Sequence, residues 1–408
     1  MSSADSLHGG PPLAGCRVIE HSRTVAAAYA GRLLAAMGAS VVMLEPPEGS
    51  PLRTAPPLLD GTRQSALFAY LAAGKGSLIC DLLSPEGQQV LERELESADI
   101  LIDDTPVRER AARKLDQDTV AKRFPALVHV SVRPFGASGP KADWDGEEVN
   151  LLHAGGEGFL LPNGLSRELF PDRPPLKIYG HFSQYQGGSV AAFAALSAWW
   201  AAPQVGGQYV DVSVQDAVLS VGAFALQRLG DGSLEHRSTR RFRYGGVFEA
   251  RGGFVELLTL EDRQWTALVE LLGRPAWTQD ESLRDPLERS RRGDEINHHI
   301  REWMSQHDVD EIVQSAQRLG VPAAKYRTPA EVTHGEHEKA RGLFAPLMLD
   351  DGMQAQVLVA PFQFRCTPLE AAGRVPALGE YQPPAHLNRT ESNERAQHGS
   401  PRPKEPAG

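Results

Sequence analysis

The stretch Cys16–Glu45, which reads CRVIEHSRTVAAAYAGRLLAAMGASVVMLE, decides the fold of this chain. It opens on a short apolar strand over Cys16–His21, and a helix follows over Ala26–Met37, where apolar residues recur at helical spacing. Gly38 ends the helix, and Ser40–Leu44 is a second strand. Because two strands joined by a helix normally lie parallel in one sheet, this stretch predicts the beginning of an α/β domain.

The same alternation of strands and helices continues along the chain. Beyond the first two strands we predict a helix over Ser84–Ser97, a strand over Ile100–Ile102, a charged helix near Arg108–Lys114, a strand over Leu127–Val132, a helix over Gln184–Ala201 and a strand over Tyr209–Val212. Residues 136–182 interrupt the pattern with a long segment rich in Gly, Pro and Asp. The whole pattern predicts a parallel sheet covered by helices.

The second half of the chain has a different character. A hairpin is predicted from Val247–Ala250 and Phe254–Thr259, which flank a Gly-Gly turn. The remaining elements are predicted as helices over Glu261–Leu272, Asp294–Met304 and Val309–Arg318 and strands over Met353–Val359 and Gln363–Cys366. We expect a disordered leader over residues 1–13, a small α+β domain over 216–329, a return to the first domain near the C-terminus and a disordered tail over 386–408.

Composition excludes several classes of protein. The 408 residues carry a net charge of -10 with scattered basic residues, which argues against a nucleic-acid surface. No apolar run approaches the length of a membrane span, and no signal sequence is present at the start. The three cysteines, Cys16, Cys80 and Cys366, have no CxxC spacing, so neither a disulfide framework nor a zinc site is predicted. We expect a cytoplasmic enzyme.

Two local clusters have both an ordinary and a functional interpretation. His334 and His337 flank a carboxylate, but without a third ligand cluster nearby a solvated surface is favoured over a metal site, and we predict no metal. The basic run Arg240–Arg243 fits a solvated or subunit-facing loop, or alternatively a contact to the phosphate of an anionic ligand. The glycine motifs of nucleotide cradles and the GxSxG nucleophile elbow are absent.

Seven stretches resemble the motifs of family III CoA-transferases of the CaiB/BaiF type, the group that includes formyl-CoA transferase. They occur in order over about residues 14–385: Gly38–Glu45, Lys75–Ser77, Ala98–Ile102, Val130–Pro140, Gly207–Ala217, Gly245–Trp265 and Pro376–Glu380. The resemblance implies a Rossmann-like large domain from residues 14–215 and 330–385, beside the smaller domain, and a dimer of interlocked rings. It also implies that CoA or an acyl-CoA is a substrate and that no cofactor is bound tightly.

The resemblance assigns the catalytic position to Gln184. In the family this position holds an aspartate at the start of a long helix, ten residues after the first proline of a Pro-Pro-[Val/Leu] step, which is Pro174–Leu176 here. The aspartate attacks an acyl thioester and forms a mixed anhydride. A neutral amide cannot do this, because its nitrogen lone pair is delocalised and its oxygen is a poor nucleophile. We therefore predict no catalytic residue in this chain.

Other positions depart from the family pattern in the same direction. Pro46 stands where the family has a basic residue, and Asp103–Thr105 replaces its Glu-Asn-[Phe/Tyr], which puts acid near where CoA would lie. Asp145 replaces a basic residue, whereas Glu148 aligns with the family's loop glutamate. The glycine-rich loop is reduced to Gly245–Gly246. Lys75 remains as a single candidate for binding CoA, although a lysine on a surface turn is usually only solvated.

Three hypotheses about function follow. The leading one is a CoA-transferase subunit that works with a related chain carrying the aspartate. The resemblance suggests this because some members that act in aromatic degradation, such as succinyl-CoA:benzylsuccinate CoA-transferase, are built from two related but different subunits. A second is an active homodimeric transferase or racemase that uses another residue, for which Asp172, Tyr185 and Ser183 are the alternatives. A third is a non-catalytic protein that binds acyl-CoA or serves as a scaffold.

Overall fold

The computed structural model describes residues 10–59, 61–161, 172–174, 176–222, 244–349, 352, 354–367, 369 and 373–381. The chain divides into two compact units. The first comprises Met1–Gly155, Ile178–Gly222 and His337–Gly408, and the second comprises Gly156–Lys177 and Ala223–Glu336. The predicted tail lies outside the described residues.

The first unit contains a strand-helix alternation and a C-terminal hairpin. Its strands are β1 (Arg17–His21), β2 (Ser40–Glu45), β3 (Gly76–Ile79), β4 (Ile100–Asp103), β5 (Val128–Arg133), β6 (Tyr209–Ser213), β10 (Phe344–Met348) and β11 (Gln354–Leu358). Its helices are α1 (Val25–Ala36), α2 (Ala66–Ala72), α3 (Pro85–Glu96), α4 (Val107–Arg113), α5 (Gln117–Arg123), α6 (Glu148–Ala154), α7 (Phe182–Val205) and α8 (Val214–Val221).

Six of these strands form one parallel sheet in the order β3-β2-β1-β4-β5-β6. In the centre, Val18 pairs with Val41 of β2 on one side and with Ile100 of β4 on the other. The order of the strands reverses between β1 and β4, and ligands of such sheets bind outside the carboxyl ends of the strands at that switch point. The prediction of a Rossmann-like α/β fold is confirmed.

Helix α7 packs closely on α1 and thereby fixes the position of residue 184. All residues of α1 except Ala35 are buried. The packing depends on Gly188, because a Cβ atom there would lie 2.5 Å from the carbonyl oxygen of Ala26. Ala191, Ala192 and other small residues continue the buried face of α7. The first turn of α7 is consequently held against the N-terminus of α1.

The second unit has its own core. Strands β7 (Gly246–Ala250), β8 (Gly253–Leu257) and β9 (Ala323–Lys325) form an antiparallel sheet in that order. Its helices are α9 (Asp262–Leu271), α10 (Pro286–Arg291), α11 (Gly293–Met304), α12 (Val309–Leu319) and α13 (Pro329–Thr333). A last helix, α14 (Glu336–Ala340), begins at the final residue of this unit and continues into the first unit. The core includes Phe248, Val255, Leu257 and Leu268. No helix in the described part of the chain is long and apolar enough to cross a membrane.

Several local predictions differ from the structure. Strand β3 and helices α2, α5 and α6 are among the elements that were not predicted; β3 reads Gly-Ser-Leu-Ile, which has neither a strict alternation nor a continuous apolar run. Gln363–Cys366 was predicted as a strand but is irregular. The end of the predicted leader is ordered, since Leu13 is buried and its N–H donates to the carbonyl oxygen of Met37 at 2.9 Å.

Candidate functional site

The residues singled out in the sequence meet where two helices begin beside the carboxyl edge of the sheet. Helix α1 follows β1 directly, and Asp103–Asp104 lies at the end of the neighbouring strand β4. Helix α7 brings Gln184 to the same place. A helix N-terminus has N–H groups without partners inside the helix and a partial positive charge, so it attracts anionic or carbonyl oxygens.

The N-terminus of α1 is occupied by Asp104. Its Oδ2 atom accepts hydrogen bonds from the N–H groups of Arg23 and Thr24, both at 2.7 Å. Only 2% of Asp104 is exposed. Burial raises the pKa of this carboxyl, against the backbone hydrogen bond from Arg23, which lowers it. The acid expected near a CoA site is therefore enclosed and bonded to the protein's own backbone.

Gln184 also bonds to α1. Its Oε1 atom accepts a hydrogen bond from the N–H of Ala26 at 3.3 Å. The residue is only 7% exposed. Its amide therefore serves as a neutral acceptor for the first turn of α1, which a glutamine can do without any covalent chemistry.

The N-terminus of α7 is occupied by Glu148. One carboxylate oxygen accepts the N–H of Ser183 at 2.8 Å, and the other accepts the N–H of Gln184 at 3.2 Å. Glu148 is the first residue of α6 and is buried. Glu148 thus caps the first turn of α7 with both of its carboxylate oxygens.

A second buried carboxylate, Asp103, lies next to Asp104 in the chain. Its Oδ1 atom accepts hydrogen bonds from the N–H and the hydroxyl of Thr105, and its Oδ2 atom lies 3.5 Å from Arg110 Nη2 and 3.6 Å from His129 Nε2. Burial alone would raise the pKa of Asp103, but His129 and the charge of Arg110 outweigh it and lower the pKa to about 2. Asp103 is therefore ionised at neutral pH.

Lys75 is not at the surface, which corrects the sequence-based expectation. Its Nζ atom lies 2.6 Å from Glu20 Oε2 and 2.7 Å from the carbonyl oxygen of Ala28, and its side chain is fully buried. Gly31 makes room for the pair, since a Cβ atom there would collide with the carboxylate of Glu20. In this conformation the ammonium group is bonded to the protein's own Glu20 and Ala28, and a contact to CoA stays a prediction.

Among the alternative nucleophiles, Ser183 and Tyr185 adjoin Gln184 in α7. Ser183 is fully buried, and its hydroxyl has no hydrogen-bond partner among the described residues, hence no base to activate it there. Burial raises the pKa of Tyr185 to about 12, so its phenol is protonated at neutral pH. Asp172 is exposed and belongs to the second unit.

The remaining predicted positions are not part of this cluster. Pro46 is half-buried and accepts the N–H of Gly49. Asp145 is exposed and lies 3.7 Å from Arg108 Nη2. Gly245 and Gly246, in the second unit, both have positive φ angles. The basic run 240–243 lies outside the described residues.

A cavity of about 550 Å³ opens beside the start of α7. It is lined by Tyr29, Tyr70 and Tyr185, together with Leu59, Ala66 and Ala69 and the β10–β11 hairpin. The rings of Tyr29 and Tyr185 meet edge to face at 4.7 Å. The lining carries no charged side chain, so this cavity offers apolar and aromatic contacts rather than a site for an anion.

Sequence reasoning missed Arg133. It ends β5 and is 4% exposed, and its Nη1 atom donates to the carbonyl oxygen of Asp104 at 2.8 Å. Its Nε and Nη2 atoms have no hydrogen-bond partner among the described residues. The signal was available, because an arginine directly after the apolar run of a parallel strand lies at the edge where ligands bind.

The family model for CoA-transferase family III matches residues 13–382 of the chain. A succinate–glutarate CoA-transferase from Agrobacterium fabrum is 29% identical over 389 residues, which cover 91% of this chain and 94% of that protein. A crystal structure of a CaiB/BaiF family protein from Brucella suis superposes with a TM-score of 0.78 at 26% identity and covers 95% of this chain and 100% of that one.

Two further relatives are subunits of one kind of enzyme. The beta subunit of succinyl-CoA–L-malate CoA-transferase from Chloroflexus aurantiacus is 25% identical over 384 residues, covering 91% of this chain and 92% of the subunit. The alpha subunit is 27% identical over 350 residues, covering 82% of this chain and 78% of the subunit. Both subunits of that enzyme are thus similar to this one chain.

Proposed function

The chain belongs to CoA-transferase family III, and from that premise we propose that it is a subunit of a heteromeric CoA-transferase in which a related partner chain supplies the catalytic aspartate. The observation that carries the proposal is Gln184. Its amide is buried, and its oxygen accepts the N–H of Ala26. The amide of Gln184 thus contributes a hydrogen bond to the fold, but as a neutral amide it cannot form an acyl anhydride.

The chemistry then takes place on the partner's aspartate. Its carboxylate attacks the donor thioester, the carbon–sulfur bond breaks, and a mixed anhydride and CoA thiolate result. The thiolate attacks the aspartyl carbonyl, which releases the donor acid and leaves an aspartyl-CoA thioester. The acceptor carboxylate then attacks this thioester, which gives a second mixed anhydride and CoA thiolate again. The thiolate attacks the acceptor's acyl carbon, which forms the acceptor thioester and frees the aspartate.

A partner surface is available on α7. Val190, Phe193 and Trp200 follow one another at helical spacing, and Phe193 and Trp200 are 74% and 77% exposed. Large apolar side chains exposed together are typical of protein interfaces. The alpha and beta subunits of the malate enzyme, both similar to this chain, favour a partner of the same family. An interlocked arrangement of the two chains belongs to the same proposal.

The names of the relatives suggest substrates for the assembly. Succinyl-CoA or succinate occurs in the names of the A. fabrum and the C. aurantiacus enzymes described above. We therefore propose succinyl-CoA as the donor to try first, with dicarboxylic acids as acceptors.

The test is co-expression with a related chain that has aspartate at the position of Gln184. We expect a stable complex that transfers CoA from succinyl-CoA, and neither chain alone should match its turnover. The matched control replaces the partner's aspartate by asparagine, which should abolish turnover and leave the complex intact. Full activity of this chain as a homodimer would contradict the proposal.

A second candidate function rests on Glu148. Its carboxylate lies within hydrogen-bonding distance of the backbone of residue 184, so an active homodimer could use it as the nucleophile. Incubation of the lone chain with succinyl-CoA and hydroxylamine distinguishes the two functions. Hydroxamate at Glu148, absent from Glu148→Gln, would support the homodimer, whereas an unmodified chain supports the subunit.

A further inference from the structure

We propose that Asp104 is a resident anion at the switch point of the sheet: its carboxylate fills the position at the N-terminus of α1 where an anionic ligand would bind, and the buried Arg133 donates to its backbone carbonyl. The lone chain therefore binds no phosphate or CoA at this position. This deepens the proposed function, because the CoA of the complex would bind only at the partner's corresponding position.

The place is where the fold offers a site for an anion. The sheet order reverses between β1 and β4, and α1 begins at Val25, four residues after β1 ends at His21. Phosphates bind at such helix starts through free N–H groups and the helix dipole. With 12 residues, α1 is long enough for its dipole to contribute.

Four N–H groups at this helix start have internal acceptors. Those of Arg23 and Thr24 donate to Asp104, that of Ala26 donates to Gln184, and that of Ala27 donates to the hydroxyl of Thr24 at 3.5 Å. Asp104 and Gln184 are both positions at which the sequence departs from the family motifs. The two departures thus converge on one helix start, where together they accept three N–H groups.

Arg133 places a buried positive charge next to Asp104, whose backbone carbonyl accepts a hydrogen bond from its Nη1 atom. Burial lowers the pKa of its guanidinium, and the charge of Asp104 opposes that effect. Two of its nitrogen atoms have no hydrogen-bond partner within the described part of the chain. A buried cation in this state depends on a nearby anion. Removal of the Asp104 carboxylate would leave this guanidinium, with Asp103 and Asp145 as its other acidic neighbours, near two free N–H groups, which together form a site for phosphate.

The experiment measures thermal unfolding of the purified chain with increasing inorganic phosphate, at constant ionic strength. For the wild type we expect the unfolding temperature in phosphate to equal that in chloride at the same ionic strength. Asp104→Ala should unfold at a lower temperature without phosphate and regain about 2 °C or more once phosphate exceeds its dissociation constant several-fold. CoA should stabilise the same variant and leave the wild type unchanged.

Two variants serve as controls. Asp116→Ala removes a carboxylate that accepts the N–H of Thr119 at the start of α5, and it should not respond to phosphate. Arg133→Met added to Asp104→Ala should abolish the response. If Asp104→Ala does not fold in chloride, recovery of its circular dichroism in phosphate supports the proposal.

Three outcomes contradict the proposal: phosphate stabilises the wild type as much as Asp104→Ala, the variant shows no response, or an unfolded variant does not recover in phosphate. None of these measurements involves turnover or a partner chain. A failure here therefore leaves the co-expression test of the subunit function untouched, and the reverse also holds.

Discussion

The two helix starts that meet at residue 184 are closed by different kinds of residue. Helix α7 is closed by Glu148, the residue expected there from the family motif, whereas α1 is closed by Asp104 and Gln184, where the motifs lead us to expect other residues. Helix α1 is also held at its Ala28 carbonyl by Lys75. The start of α7 is thus capped by the residue that the family motif leads us to expect. The start of α1, at the switch point, is instead bonded to side chains of the chain itself.

The largest effect is expected where α1 is held by the buried ion pair. Lys75→Met should lower the free energy of unfolding by about 3–5 kcal/mol, because Glu20 would remain buried without its counter-charge. Urea denaturation followed by circular dichroism measures this. The double variant Glu20→Gln/Lys75→Met should recover part of the loss; a double variant no more stable than the single one would show that the isolated charge is not the cause.

At the start of α7, Glu148→Ala should lower the free energy of unfolding by about 2 kcal/mol, because two buried N–H groups lose their acceptor. The matched control is Asp116→Ala, which removes one bond from a half-buried cap and should cost about 1 kcal/mol. Equal losses in the two variants would show that Glu148 is no more than an ordinary helix cap.

Much of this architecture was predictable from the sequence. Short apolar runs, most of them separated by segments in which apolar residues recur at helical spacing, predicted the strands β1, β2, β4, β5 and β6. Seven motifs in the family's order predicted the family. What could not be predicted is which polar groups meet. Lys75 looked like a surface lysine because its turn is polar, and only the fold brings Glu20 beside it, 55 residues away in sequence.

The structure was also needed to relate Asp104 and Gln184 to one another. The sequence showed Asp104 and Gln184 as separate losses, 80 residues apart, and it gave no sign that both accept hydrogen bonds from the start of α1. Their convergence depends on the small residues of α7, since Gly188 allows the helix to approach Ala26. Spacing in sequence does not encode such an approach.

The buried carboxylate of Asp103 should make the free energy of unfolding depend on pH in acid. The pKa of Asp103 is lowered in the fold to about 2, so its ionised form stabilises the protein fully above about pH 4, and this contribution is lost as the pH falls towards 2. The expected loss is about 2 kcal/mol, measured by urea denaturation across this range. Asp103→Asn should lack this part of the pH dependence; an identical acid profile would exclude Asp103 as its source.

The smallest effect on stability is expected for Gln184→Asp, which restores the family's residue to the start of α7. The shorter side chain loses the bond to the N–H of Ala26, which costs about 1 kcal/mol or less. Turnover of succinyl-CoA by the lone variant should remain absent, because Asp104 still fills the start of α1. A radiolabel exchange assay detects trace transfer. If Gln184→Asp alone transfers CoA, the missing carboxylate was the sole obstacle; if transfer needs Asp104→Asn as well, the closed helix start is the second.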